Sequence, residues 1–521
     1  MNRNETIDFG RSPQSYWIAS TPKKNYSALD HDLSVDLAIV GGGAVGISTA
    51  YMLCKKGLRI AVLEADHILH GTTGHTTAKV TSQHGLIYHK TEKNISMEFA
   101  RQYADANETA INTISQIIRD NRIDCDFFPQ SAYIYTNQDD YIDRIGKESM
   151  AAAALGIEAS YLDKIPLPFP VKAAVRFDHQ AQFHPLKYFL SLAETITKYG
   201  CDIYENTRIV GIEKGDRYVL ITNDGKKVTA EKVVIASHYP FYNKPRMYFA
   251  RLWADKSYAL AIRTNEAYPG GMYITAEEPG RSFRSLQCDG AELVIIGGEH
   301  HKTGISKDTN SHYQILSDYA KEIYTVKNIP YRWSTQDCMT LDNIPYVGQF
   351  KSNTPNLYIA TGFGKWGMTN SIASSLILRD MILVGKSPWQ EVYNPSRHTI
   401  VASAKTFLVQ NTSVARELLK GKLSPAPEEF QLRPGEGKIV KIDGKKAGAY
   451  KDEQGDIHIV NTTCPHMGCE LVWNPAERSW DCPCHGSRFS YDGDIIEGSA
   501  VKHLDQNNDV NTLEKVLKDD F

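Results

Sequence analysis

Two short loops near the end of the chain, Cys464-Pro-His466 and Cys482-Pro-Cys484-His485, restrict its folding more than any other feature. Each loop offers one thiolate and one imidazole. Two thiolates on one iron and two neutral imidazoles on the other form the ligand set of a [2Fe-2S] centre that is less negative than an all-thiolate one and has a higher potential. A structural zinc ion is the competing occupant. Zinc sites usually begin with a Cys-x-x-Cys knuckle, however, and neither loop offers one as its ligand pair. On the iron reading, electrons pass through this protein.

The wider motifs CPHMGC and CPCHGSRF also place Cys469 and Cys484 beside the ligands, where neither can ligate without displacing one. In these motifs the chain resembles the Rieske proteins of respiratory cytochrome bc complexes. The resemblance implies ligation by Cys464, His466, Cys482 and His485, a disulfide between Cys469 and Cys484, and imidazole edges exposed as exits for electrons. It also implies a hydroxyl donated to a cluster sulfur by Ser487. Two positions depart from that family: Phe489 replaces its tyrosine, and Ser499 replaces the proline of its third loop. A lost hydrogen bond stabilises the reduced cluster less, so the potential is expected below that of the respiratory proteins.

At 521 residues the chain is too long for one core and fits about three domains. A net charge of -3 with no basic run argues against a nucleic-acid partner. Residues 1–17 lack an apolar signal core, and no segment approaches an uninterrupted membrane span, so the cytoplasm is the expected compartment. The remaining cysteines, Cys54, Cys125, Cys201, Cys288 and Cys338, are scattered in apolar or strand-like contexts, as small core residues of a reducing compartment are.

At the other end, residues 35–64 read as strand, glycine turn, helix and second strand. Gly41 makes the turn, Gly43 lets a pyrophosphate approach the backbone, and Gly46 permits close packing of helix on strand. Glu64, closing the second strand, is placed to accept from ribose hydroxyls. A dinucleotide site is the reading, against a glycine turn in an unrelated α/β sheet.

Three later segments resemble the D-amino acid oxidase and glycine oxidase superfamily. GTTGHTTAKVTSQHG sits where that superfamily wraps its flavin. The meander from Asn206 turns at Asn223-Asp224-Gly225 and returns on residues 233–237, and the stretch from Trp333 through DNIPYVG to TGFGKWGMTNS matches the closing strand and glycine turn. The resemblance implies FAD, with Gly41, Gly43, Gly46, Glu64, Ile209 and Ala236 around its ADP half and covering strand. It places Thr76, Thr77, Gly362, Gly364, Lys365 and Met368 around the flavin ring. Lys365 falls where glycine oxidase has an arginine, so a cation there is expected to stabilise anionic reduced flavin; a solvated surface lysine is the alternative.

A helix carrying Tyr103, Ala110, Ile111, Ile114 and Ile118 at helical spacing belongs to an expected cap over the flavin. Arg281 and Arg284 alternate with serines and are expected on one side of a cap strand, where they hold a substrate carboxylate or face solvent. Aligned with glycine oxidase, Asp337 stands where that family grips the substrate carboxylate with arginine. Repulsion there favours an amine lacking that carboxylate or binding the other way round; Asp337 as a helix cap or buried ion pair is the alternative. Lys365, Asp337 and Arg284 are thus the candidate catalytic residues.

Residues 391–427 read as two helical turns, a helix ended by Gly421 and a proline-rich spacer, packing on the flavin part or lying on a membrane surface. The expected architecture is an α/β Rossmann-like FAD-binding domain (1–88, 171–246 and 331–390), an α+β substrate domain (89–170 and 247–330), this helical linker, and an all-β Rieske domain (428–521). The expected activity is that of an FAD-dependent dehydrogenase acting on a C–N bond of an amine or amino-acid-like substrate, passing electrons singly through the cluster to an external carrier. A reductase or monooxygenase component run in the reverse direction, and a non-catalytic electron carrier or redox sensor, are the rival readings.

Overall fold

The computed structural model describes residues 7–242, 247–288, 290–397, 400–427, 430–442 and 444–506. Leu33–Val40 is an apolar strand ending at Gly41, whose φ of +112° and approach to the Ala236 carbonyl leave no room for a Cβ. The chain turns into the helix Ala44–Leu53 and returns as Ile60–Leu63, parallel to the first strand. A Cβ on Gly46 would lie 1.9 Å from the Gly41 carbonyl oxygen, so helix and strand touch backbone to backbone. Strand order in this sheet is Tyr346–Gln349, Leu357–Thr361, Lys227–Ile235, Leu33–Val40, Ile60–Leu63, Asp202–Tyr204. The hairpin of Ile209–Lys214 and Tyr218–Thr222 joins Lys227–Ile235, with Gly225 in the expected turn.

A second sheet has nine strands among the described residues, in the order Val326–Thr340, Leu252–Thr264, Ala291–Lys302, Arg281–Cys288, Met272–Thr275, Phe128–Thr136, Ala173–Gln182, Lys79–Val80, with Ala159–Leu162 beside Ala173–Gln182. It takes in strands at 79–80, 173–182 and most of 326–340, which the sequence division gave to the flavin part. Their backbone partners are distant in sequence, and pairing rather than local pattern assigns a strand to a sheet. Helix Met97–Asn121, capped by the Ser96 hydroxyl, buries Tyr103, Ala110, Ile111, Ile114 and Ile117. Ile118 is only partly buried, because steps of three and four from Tyr103 reach Ile117.

Ile400–Leu423 is one continuous helix of 24 residues that passes through Gly421. That glycine serves contact rather than termination: a Cβ there would meet Glu470 at 2.6 Å. Val414 and Leu418 pack on the cluster domain, while Phe407, Leu408 and Leu419 are exposed. No helix among the described residues is long and apolar enough to cross a membrane. Beyond it lie a three-stranded sheet (Gly437–Ile442, Lys445–Lys451, Ile457–Val460) and a four-stranded one (Val472–Asn474, Ser479–Asp481, Arg488–Ser490, Ile495–Glu497). Leu471, Trp480 and Phe489 lie at the core of this all-β unit; residues 507–521 lie outside the described residues.

Candidate active site and cluster centre

A cavity of ≈ 490 Å³ runs from the Gly41 turn and Glu64, past Thr76 and Thr77, to Lys365 and Trp366 beneath the nine-stranded sheet. Its residues fit a dinucleotide. The direction a Cβ would take from Gly43 is open, with only the Thr73 hydroxyl nearby at 3.5 Å, so a pyrophosphate can reach the backbone. Glu64 accepts from the amides of Gly42 at 2.7 Å and Asp66 at 3.0 Å, which fixes the carboxylate at the end of its strand. Burial raises its pKa above the ordinary carboxylate range. Thr73 accepts from the Ala44 amide at 3.1 Å and caps the glycine-turn helix, a role the sequence reading did not assign.

The pleat decides what the far end of the cavity contains. Asp255 and Asp337 are register partners on adjacent antiparallel strands, as are Ser257 and Thr335. Side chains alternate along a strand, so these four share a face, and Lys256, Ser334 and Gln336 share the opposite one. On the cavity face, Lys365 sits 2.9 Å from Asp255, 3.3 Å from Asp337 and 3.1 Å from the Ser257 hydroxyl. Burial opposes the Lys365 charge, but the two carboxylates outweigh it and hold its pKa above the ordinary lysine value. Burial pushes Asp337 up despite Lys365, whereas at Asp255 the ammonium and His300 overcome burial and pull the pKa down. The pair partner of Asp337 is therefore a side chain of the protein.

Lys79 also lines the cavity, donates to the Thr77 hydroxyl at 3.1 Å, and is pushed down to about 7 by burial. It belongs to no ion pair among the described residues, which the strand-like sequence around it did not signal. Gly41, Gly43, Glu64, Thr76, Thr77, Ile209, Ala236, Gly364, Met368, Lys365 and Asp337 all line this space. Gly46 packs behind it, and Gly362 is pressed against Thr340, where a Cβ would lie 2.2 Å from the threonine methyl.

Arg281 and Arg284 do not share a face. Three residues is an odd step, and a period of two sends them to opposite sides of the sheet. Arg281 pairs with Glu299 and stacks on Tyr319, whereas Arg284 is buried away from the cavity lining. Its guanidinium donates to the carbonyls of Thr77 at 3.0 Å and Ala78 at 2.7 Å, bracing this cavity-lining segment from behind.

The two cluster loops repeat one local design, Cys-Pro-x-x-Gly. In each, the glycine amide donates to the first cysteine's carbonyl, Gly468 to Cys464 at 2.9 Å and Gly486 to Cys482 at 3.0 Å, and both glycines have positive φ. Cys464 and Cys482 are buried free thiols, and Cys469 is disulfide-bonded to Cys484 with Cα atoms 6.5 Å apart. His485 is 3 % exposed and its Nδ1 has no hydrogen-bond partner, an orphaned buried atom that suits an iron ligand. Ser487 and Ser499 hydroxyls lie 3.0 Å apart, and Ser499 reaches His466 Nδ1 at 3.0 Å. Buried Phe489 contributes no hydroxyl.

Of the two imidazoles, His485 is not exposed as the respiratory resemblance implies. Phe249 lies edge-on to His485 at 5.6 Å and to His466 at 6.2 Å between centroids, and His466 is only half-buried. The cluster domain docks on the cluster-side face of the strand pair that walls the cavity. Lys256, fully buried, pairs with Glu477 at 2.9 Å; Glu477 also pairs with Arg488, which holds Asp481 at 3.0 Å and Glu497 at 2.7 Å. Gly304 and Gly486 allow close approach: a Cβ on the first would meet the Pro483 backbone at 2.6 Å, and one on the second would meet the Ala254 side chain at 2.2 Å. Ile496, Glu497, Gly498, Ala500 and Val501 of the cluster domain themselves line the cavity.

The family model for FAD dependent oxidoreductases matches residues 36–381, and that for the Rieske [2Fe-2S] domain matches 423–512. The chain belongs to this oxidoreductase family and carries a Rieske domain; it is an FAD-dependent oxidoreductase that binds FAD and a [2Fe-2S] cluster. It is 41% identical over 496 residues, 95% of this chain and 97% of the other, to YhfW of Bacillus subtilis (strain 168), which carries the name of a Rieske 2Fe-2S iron-sulfur protein. The gamma-glutamylputrescine oxidoreductase of Escherichia coli (strain K12) is 22% identical over 394 residues, 71% of this chain and 88% of that protein. Glycine oxidase from Geobacillus kaustophilus superposes with a TM-score of 0.59 at 18% identity, covering 70% of this chain and 99% of that one.

Proposed function

We propose that this protein oxidises a C–N bond of an amine or amino-acid-like substrate and delivers the electrons singly through the Rieske centre to an external one-electron carrier. Bound FAD supplies hydride acceptance, and the cluster supplies one-electron chemistry. The observation that carries the reading is the docking just described, in which one strand pair presents Ser257 and Asp337 to the flavin cavity and Gln336 to the cluster loop. Beneath the cap, Glu277, Glu278 and Asp337 line the cavity and Asp255 and Glu299 pair with its cations; these five carboxylates outnumber Lys79, Lys365 and Arg281, of which the last two are already paired. That excess of negative charge favours a cationic amine over a substrate held by its carboxylate alone. His466, half-buried beside exposed Met467, is the ligand an external carrier can approach, whereas His485 is turned inward.

Anaerobic mixing with amines and N-methylated amino acids tests the reading. Flavin absorbance is expected to bleach first and the reduced-cluster signal to follow. If no amine, amino acid or alcohol reduces the flavin while reduced ferredoxin reduces the cluster and then the flavin, the protein is a reductase component.

Lys79 supplies a proton acceptor. A lysine pushed down to about 7 is mostly neutral above that pH and can take the proton of a substrate ammonium before hydride leaves. Flavin reduction is therefore expected to rise with pH through about 7, and Lys79→Met to flatten that limb; an unchanged profile in the variant removes Lys79 from the chemistry.

A further inference from the structure

We infer that Gln336 is the positioning residue that couples the flavin cavity to the cluster, and that transfer occurs in the docked arrangement without movement of the Rieske domain. This rests on the proposed passage of electrons between the two centres. Gln336 lies on the edge strand Val326–Thr340 and is 3 % exposed. Its side-chain Nε2 donates to the Gly486 carbonyl at 2.9 Å, one peptide beyond His485, and its Oε1 accepts from the Thr303 hydroxyl at 2.7 Å. Being on the edge strand, its backbone carbonyl is free to bond outward, and it accepts from the Thr72 hydroxyl at 3.2 Å and from His238 Nε2 at 2.9 Å. Thr72, His238 and the next residue, Asp337, all line the cavity. One residue is thus bonded to the cluster loop by its side chain and to the cavity wall by its backbone. Every atom on this route is joined covalently or by a hydrogen bond.

The docking surface argues for a fixed wall. Gly304 meets Pro483 backbone to backbone, Gly486 lies against the Ala254 and Gln336 side chains with no room for a Cβ, and Thr309 bonds Asn474 at 2.6 Å and the Ala476 amide at 3.0 Å. Interior packing of this kind transmits position instead of absorbing it. A hydride carries two electrons and one is passed at a time, each reducing one ferric ion of the cluster to ferrous. The second follows after a one-electron acceptor such as ferricyanide has drawn off the first.

The test uses the holoprotein in Gln336→Met and Gln336→Glu, which lose the donor to Gly486; glutamate keeps an acceptor for Thr303. Thr303→Val keeps the Gln336 donor and serves as the control. Flavin photoreduction followed by the rise of the cluster's electron paramagnetic resonance signal reads the transfer rate, and the signal's g values read the cluster's surroundings. Both Gln336 variants are expected to slow transfer about tenfold and to shift the g values, with flavin photoreduction itself unchanged and Thr303→Val close to wild type. Wild-type transfer in both Gln336 variants overturns the inference. Absence of flavin-to-cluster transfer in the unaltered protein overturns the underlying reading instead. Equal slowing in all three variants assigns the effect to general packing and also overturns it.

Discussion

Glu477→Gln is expected to destabilise the protein by about 3–5 kcal/mol, because it leaves the fully buried Lys256 ammonium without its carboxylate. Arg488 keeps Asp481 and Glu497, so the loss centres on Lys256 and on the junction between the two parts of the molecule. Urea unfolding read by flavin fluorescence and by cluster circular dichroism gives the measurement. Coincident transitions in the wild type are expected to separate in the variant, the cluster signal leaving first. A midpoint within error of wild type would show that the network is not what holds the domains together. The pH dependence has a definite sign. Burial opposes ionisation of Glu477, but Arg488 and Lys256 overcome it and hold the pKa far below the ordinary value of about 4.3. A depressed carboxylate stabilises the fold fully above its unfolded pKa and progressively less as pH falls below it. Wild-type stability is therefore expected to decline on acidification below about pH 4, more steeply than that of the variant.

Lys365→Met is expected to slow substrate reduction of the flavin about a hundredfold, the scale of losing one preorganised charge at a reacting centre. Asp255 and Asp337 then face each other without the ammonium between them, and two buried carboxylates share a proton rather than both ionise. The flavin midpoint potential is expected to fall, since a nearby cation no longer offsets charge on the reduced ring. Lys365→Arg is expected to restore much of both quantities. A variant with wild-type rate and potential would place the ammonium away from the ring and confine it to holding two strands together.

Local pattern carried the parts of this molecule that are built from neighbours in sequence. The helix behind Gly46 follows from a backbone clearance within residues 33–64, and the cluster loops follow from Cys-Pro-x-x-Gly repeated in residues 464–486. The Arg281 and Arg284 assignment failed on an odd step along a strand. Gly421 looked like a helix stop because its contact with Glu470 is invisible in its own segment. Gln336 drew no notice beside Asp337, although alternation alone puts the two on opposite faces.

The sequence by itself determined that a two-electron and a one-electron centre occupy one chain, and it supplied the candidate donors for iron and the candidate turn for a pyrophosphate. Tertiary structure alone decided how the two parts meet. Which face of Val326–Thr340 meets the cavity, that Lys365 answers two aspartates, and that His485 is turned inward all depend on pairings between residues far apart in the chain. Ligand identity is a property of a side chain, whereas adjacency across a sheet is a property of register and packing, fixed only when the strands have met.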